Sequence, residues 1–292
     1  MRRRAFTLGL ALVPFAWSCA RPPARIGVLV PGLPSVDVSG PEPRAPSVAA
    51  LGEGLRDLGY RYGRDFVING RGGDGIEVRY DTLVAELVAA GTDVIVAAGP
   101  LLPSLKRLAT SIPVVMAAAS DPVAEGYAQS LARPGGNFTG LSLQLMETAG
   151  EQLELLREVA RGPGPVAVMG EPSNRLLRQA VDAAARKSGW PVVSLEVGGP
   201  SEIEPAFRAA RGAAALIVLP SGLFDQRMGE VAELAARYRL PAMYGFRRYV
   251  EAGGLMSYIA DIVAIWRRAA YFVDKVLKGN RPAELPIEQP AR

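Results

Sequence analysis

The chain has 292 residues, 49% hydrophobic and 21% charged, so it is long enough for two domains with a sizeable core and too apolar to be disordered. Its 33 basic residues exceed its 29 acidic ones by four, but Arg2, Arg3 and Arg4 supply most of that excess, and the near-neutral remainder offers no electrostatic footprint for nucleic acid. With no histidine and one cysteine, Cys19, the sequence excludes Ser-His-Asp and Cys-His catalysis, histidine or thiolate metal sites and an internal disulfide.

Residues 1–20 read as a secretory signal: three arginines, an apolar run over 5–16, then Ser18-Cys19-Ala20. The run is shorter than the roughly 20 residues that a membrane-spanning helix needs. Arg3-Arg4-Ala5-Phe6 is similar to a twin-arginine signal. Cys19 has two readings, as a lipobox cysteine that becomes the lipidated first residue, or as a residue removed by ordinary cleavage near Ala20. Either way the protein is expected outside the cytoplasm, in the periplasm or anchored on the extracytoplasmic face.

From there strand and helix patterns alternate. Residues 25–30 are mostly apolar, as expected of a strand buried on both faces. A Pro-, Gly- and Ser-rich loop follows, then a helix with Val48, Leu51, Leu55 and Leu58 at spacings of three and four, ended by Gly59. Further strands are expected at 65–69, 93–98 and 114–118, each leading into a helix. This predicts a parallel sheet with right-handed crossovers. Gly70 to Gly75 spells G-x-G-x-x-G after a strand, but a dinucleotide site needs an acidic residue ending the next strand, and Asp93 begins it. The run reads as a surface loop. A second series starts at 139–143, with strands at 166–170, 192–197, 214–219, 241–244 and 255–258. Ser173 reads as an N-cap, and Ser201-Glu202-Ile203-Glu204 as a capping box. The last helix, about 261–278, carries Trp266 and Phe272 on a broad apolar face, where aromatics read as core.

Between the two series lie Ser120-Asp121-Pro122-Val123 and Ser130-Leu131-Ala132-Arg133-Pro134-Gly135-Gly136-Asn137-Phe138-Thr139-Gly140, a concentration of turn chemistry. This pair of runs resembles the D-P-V and S-L-A-R-P-G-G-N-x-T-G signature of the ABC transporter substrate-binding protein family. Further blocks match in order: Arg239-Leu240-Pro241-Ala242, the run from Tyr249 to Tyr258, Arg267-Arg268-Ala269-Ala270, the run from Val273 to Gly279, and Leu285-Pro286-Ile287-Glu288-Gln289-Pro290. The resemblance implies an α/β fold of two doubly wound parallel-sheet lobes joined by about three crossovers, like periplasmic binding proteins of type I. It places 25–140 with 254–279 in an N-terminal lobe and 141–253 with 280–292 in a C-terminal one. Members usually continue with a further strand and helix beyond the L-P-x-E-Q-P segment.

Ligands of open parallel sheets bind beyond the carboxyl ends of the strands, so the cleft between two such lobes is the expected site. The loops that should line it carry Leu33, Gly99, Pro100, Ser120 and Asp121 from the first lobe, and Pro172, Ser173, Asn174, Ser221, Tyr244 and Phe246 from the second. Helix starts near Leu101 and Asn174 offer free backbone N–H groups to a carboxylate. Asp121 reads either as the acceptor of a ligand ammonium or as the cap of its own helix. The resemblance implies capture of a small molecule, delivery to a permease in the inner membrane, and no enzymatic step. No cofactor, metal or nucleic acid is expected, and membrane contact runs only through the permease or a lipid on Cys19. Some relatives are associated with aromatic amino acids, so an aromatic or branched amino acid is the expected ligand. Two other readings remain: an α/β hydrolase or transferase, for which no G-x-S-x-G or G-x-x-x-x-G-K motif is present, and a repressor effector domain, which needs a DNA-binding headpiece where this chain has a leader.

Overall fold

A computed structural model of the chain describes residues 22–289. The expected leader, Cys19 and residues 290–292 lie outside the described residues.

Five apolar runs form the first sheet: β1 (Ala24–Val30), β2 (Phe66–Gly72), β3 (Val94–Ala98), β4 (Val114–Ala119) and β5 (Phe138–Ser142). They lie in the order β2-β1-β3-β4-β5 and pair in parallel throughout. The helices between them are α1 (Pro46–Asp57), α2 (Tyr80–Ala89) and α3 (Leu102–Leu108). The second sheet contains β6 (Val166–Gly170), β7 (Val192–Glu196), β8 (Ala215–Val218), β9 (Ala242–Tyr244) and β10 (Met256–Ser257). Its order, β7-β6-β8-β9-β10, repeats the doubly wound plan of the first, again all parallel. It is joined by α4 (Ala149–Val159), α5 (Arg175–Lys187), α6 (Ile203–Ala209), α7 (Gly222–Gln226), α8 (Met228–Arg237) and α9 (Arg247–Glu251). The long α10 (Ile262–Leu277) returns to the first lobe and packs on α1.

Strand alternation sorts the core. In the first sheet Ile26, Val28, Val94 and Val96 face α1 and α10, whereas Leu29, Ile95 and Ala97 face α2 and α3. The helix pair α1 and α10 is close because Gly54 has no side chain, as a Cβ there would stand 2.5 Å from the Arg267 carbonyl oxygen. Trp266 and Phe272 are each 2% exposed, as the apolar stripe of α10 predicts.

The structure corrects four assignments. β5, expected to open the second unit, is the edge of the first sheet. β10 pairs with β9, so the chain leaves the second lobe after Ser257, not before Gly254. The segment after α10, expected in the C-terminal lobe, stays on the first: Thr139 Oγ1 donates to the Leu285 carbonyl at 2.8 Å, and Leu141 bridges Glu288. Ile287, 5% exposed, fills the first lobe's core beside Leu131. Among the described residues the chain therefore passes between lobes twice, at 143–148 and 258–261, where about three passages were expected. Finally, the glycine run is no surface loop. Gly70 and Gly72 belong to β2, where their N–H groups donate to the Ser39 and Ser35 hydroxyls at 2.7 and 3.0 Å. Side chains there would collide with the Val38 and Leu33 carbonyls at about 2 Å, so the glycines admit the 31–40 loop against the strand.

Candidate functional site

Because both sheets share one strand order, both switch points present their carboxyl ends to the same gap. There lies a cleft of about 1220 Å³, larger than the ~300–1,000 Å³ of a typical small-molecule pocket. From the first lobe Leu33 follows β1, Gly99 and Pro100 follow β3, and Ser120 follows β4; all four line the cleft. Gly99 has φ +43°, and its turn runs directly into α3. From the second lobe Ser173 and Asn174 after β6, Ser221 after β8 and Phe246 after β9 also line it.

Two of these residues shape the walls with their side chains. Asn174 Oδ1 accepts from the Glu171 N–H at 2.9 Å, while its Nδ2 donates to the Pro220 carbonyl at 3.0 Å. It thus ties the β6 loop to the β8 loop. Ser221 Oγ accepts from the Phe224 N–H at 3.1 Å and caps α7.

Three expected residues do not line the cleft. Asp121 Oδ1 accepts from the N–H groups of Val123 and Ala124, both at 3.0 Å, the contacts of the cap reading. Pro172 is exposed outside the cleft. Tyr244, 1% exposed, faces the opposite side of its sheet from Met243 and stacks on Tyr249 with ring centroids 4.8 Å apart. Both faces of β9 are therefore core, and the cleft wall begins only beyond the strand, at Phe246.

The structure adds charged groups that loop position alone did not identify. Five cationic side chains, Lys106, Arg107, Arg175, Arg247 and Arg248, and four acidic ones, Glu125, Asp225, Glu251 and Asp261, line the cleft. Most are engaged. Arg107 pairs with Asp81, and Arg247 with Glu251 at 3.2 Å. Asp261 caps α10 through the Val263 and Ala264 N–H groups. Asp225 accepts from the Tyr249 hydroxyl at 3.1 Å; burial raises its pKa to about 6 against the opposing field of Arg248. Burial also raises Glu125 to about 7, although the Ser120 hydroxyl donates to it. Glu171, behind the second-lobe wall, is raised to about 7 by burial as well, with the Ser221 hydroxyl as a donor.

On one side the lobes touch. A Cβ on Gly222 would stand 2.7 Å from the Tyr80 hydroxyl and 3.3 Å from Gly75 Cα, and one on Gly32 would meet the Gly222 carbonyl at 3.1 Å. Three glycines therefore form the lips of the cleft, where any side chain would wedge it apart. The second passage is tied to α4, where Gln152 Nε2 donates to the Tyr258 carbonyl at 3.0 Å, and Gln144 adopts φ +52° in the first passage.

Comparison with known proteins agrees with this architecture. A tyrosine-binding protein of Clostridioides difficile (strain R20291) is 24% identical over 236 residues, covering 80% of this chain and 68% of the relative. Among solved structures, an ABC domain in complex with L-Trp from Streptococcus pneumoniae is 24% identical with a TM-score of 0.79, over 92% of this chain and 90% of that one. A conserved domain protein from Vibrio cholerae O1 biovar El Tor is 21% identical with a TM-score of 0.80, over 92% and 89%. The sequence profile described as ABC transporter substrate binding protein matches residues 36–291, and the chain belongs to that family.

Proposed function

We propose that the protein is the extracytoplasmic solute-binding component of an ABC importer: it closes on an amino acid with an aromatic or branched side chain and delivers it, unaltered, to a permease in the inner membrane. The observation that carries this reading is the cleft itself. It lies between the carboxyl edges of two equivalent sheets, with apolar walls, both signs of charge and glycine lips that let the lobes meet. Such a site buries most of a small ligand by hinge closure. The similarity to a tyrosine-binding protein and to an L-Trp complex favours an aromatic side chain. Residues 1–20 supply the export signal, and Cys19 is the candidate for lipidation.

The test is a thermal-shift screen of the mature protein against the amino acids and related small acids. A true ligand raises the melting temperature with concentration by mass action. Aromatic or branched amino acids are expected to do so at micromolar concentration. A panel without effect, or one in which only sugars act, would overturn the ligand class. Retention of the tagged full-length chain in the cytoplasm would overturn the export reading.

A further inference from the structure

We propose that Glu125 is the acceptor for the ligand's ammonium group, and that the cleft therefore selects solutes bearing a protonated amine over their des-amino counterparts. This rests on the amino-acid reading above and names the residue that would enforce it.

The argument is by elimination among the carboxylates that line the cleft. Asp261 is held by two N–H groups at the start of α10, Glu251 is paired with Arg247, and Asp225 is held by the Tyr249 hydroxyl in the field of Arg248. Glu125 has only neutral donors, the Ser120 hydroxyl and the Asp121 N–H. It makes no ion pair among the described residues. It sits in the turn after β4, at the carboxyl edge of the first sheet. A half-buried carboxylate with neutral donors and no ion pair among the described residues is poised for a cation brought by the ligand, although the Lys106 ammonium lies beside the neighbouring Gly126.

The groups around it fit that role. Asp121, whose carboxylate is fixed on its own turn, adds negative potential and repels no ammonium. Lys106 lies over the ring of Tyr127, 5.8 Å from its centroid, and Tyr127 stacks on Phe138. Across the cleft, Arg175 opens α5 with no ion-pair partner among the described residues, next to the exposed Ser173. The first lobe thus offers an acceptor for ammonium and the second a donor for carboxylate, and a zwitterion would bridge the two.

The experiment is calorimetric titration of the wild type and of Glu125→Gln with L-tryptophan, L-tyrosine and the matching des-amino acids, indole-3-propanoate and 3-(4-hydroxyphenyl)propanoate. Glu125→Gln is expected to weaken the amino acids by about 30-fold or more, as loss of one partner of a desolvated charge pair does. It is expected to leave any des-amino acid within about twofold. Glu125→Asp should fall between. A second arm uses the wild type alone, so it stands even where the variant does not fold. The ratio of des-amino to amino dissociation constants should rise steeply with pH up to about 7 and then level, because only ionised Glu125 pairs with the amine. Taking the ratio cancels the titration of Glu171 and Asp225 on closure, which both ligands share. Equal affinity of Glu125→Gln and wild type for the amino acids, or a flat ratio, overturns the Glu125 assignment and leaves solute capture standing. Wild-type protein that binds the des-amino acids and refuses the amino acids overturns both.

Discussion

Asp121 and Glu125 lie on one turn, yet one carboxylate closes on its own backbone and the other faces the cleft. Asp121→Ala is therefore expected to cost about 0.5–2 kcal/mol of stability, as loss of a cap does, and to leave ligand affinity unchanged in calorimetry. Sequence placed the loop correctly but not the residue, because which side chain enters a cleft is set by turn torsions that composition does not encode. Asn174 and Ser221 were named from their loops and do line the cleft, but their hydrogen bonds to loops distant in sequence were not legible. Gly72→Ala is expected to be costly for a different reason. Its Cβ would lie 1.9 Å from the Leu33 carbonyl, and overpacking of this kind typically costs about 1–3 kcal/mol. The displaced loop carries Leu33, so chemical denaturation and titration should show stability and affinity falling together.

The strands and helices were legible as apolar runs and stripes, and so was the edge at which their loops meet. Partnership was not. β5, β10 and the segment carrying Ile287 have patterns that fit either sheet, and only long-range pairing assigns them. The glycines of β2 looked like a loop because glycine is rare in strands, whereas here two serine hydroxyls pair the N–H groups of an edge strand. The closing segment matters energetically. Ile287, 5% exposed, should lose roughly 2–5 kcal/mol on replacement by alanine. Truncation after Gly279 should lower the melting temperature further, because it also removes the partners of Thr139 and Ser142 along β5. A melting temperature indifferent to that truncation would contradict the placement of the segment on the first lobe.

Across the whole molecule, Tyr80 of the first lobe lies against Gly222 of the second, where burial first, and then the fields of Glu171, Glu77 and Asp225, raise the Tyr80 pKa. Glu125, Glu171 and Asp225 all have raised pKa values, so the folded protein holds protons that the unfolded chain releases. Their contribution to stability is fully present below the ordinary carboxylate range and is lost as pH rises through about 6 for Asp225 and about 7 for the two glutamates. Melting temperature is therefore expected to fall between about pH 5 and pH 8, with Glu171→Gln flattening the slope. Gly222→Val should wedge the lips apart, weakening ligand binding about tenfold or more, as calorimetric titration would show. The central claim, that two lobes shut over a small solute, is tested most directly by small-angle X-ray scattering of the protein with and without a saturating ligand from the thermal screen. A smaller radius of gyration in the bound state is the predicted result. Superimposable curves at proven saturation would contradict it.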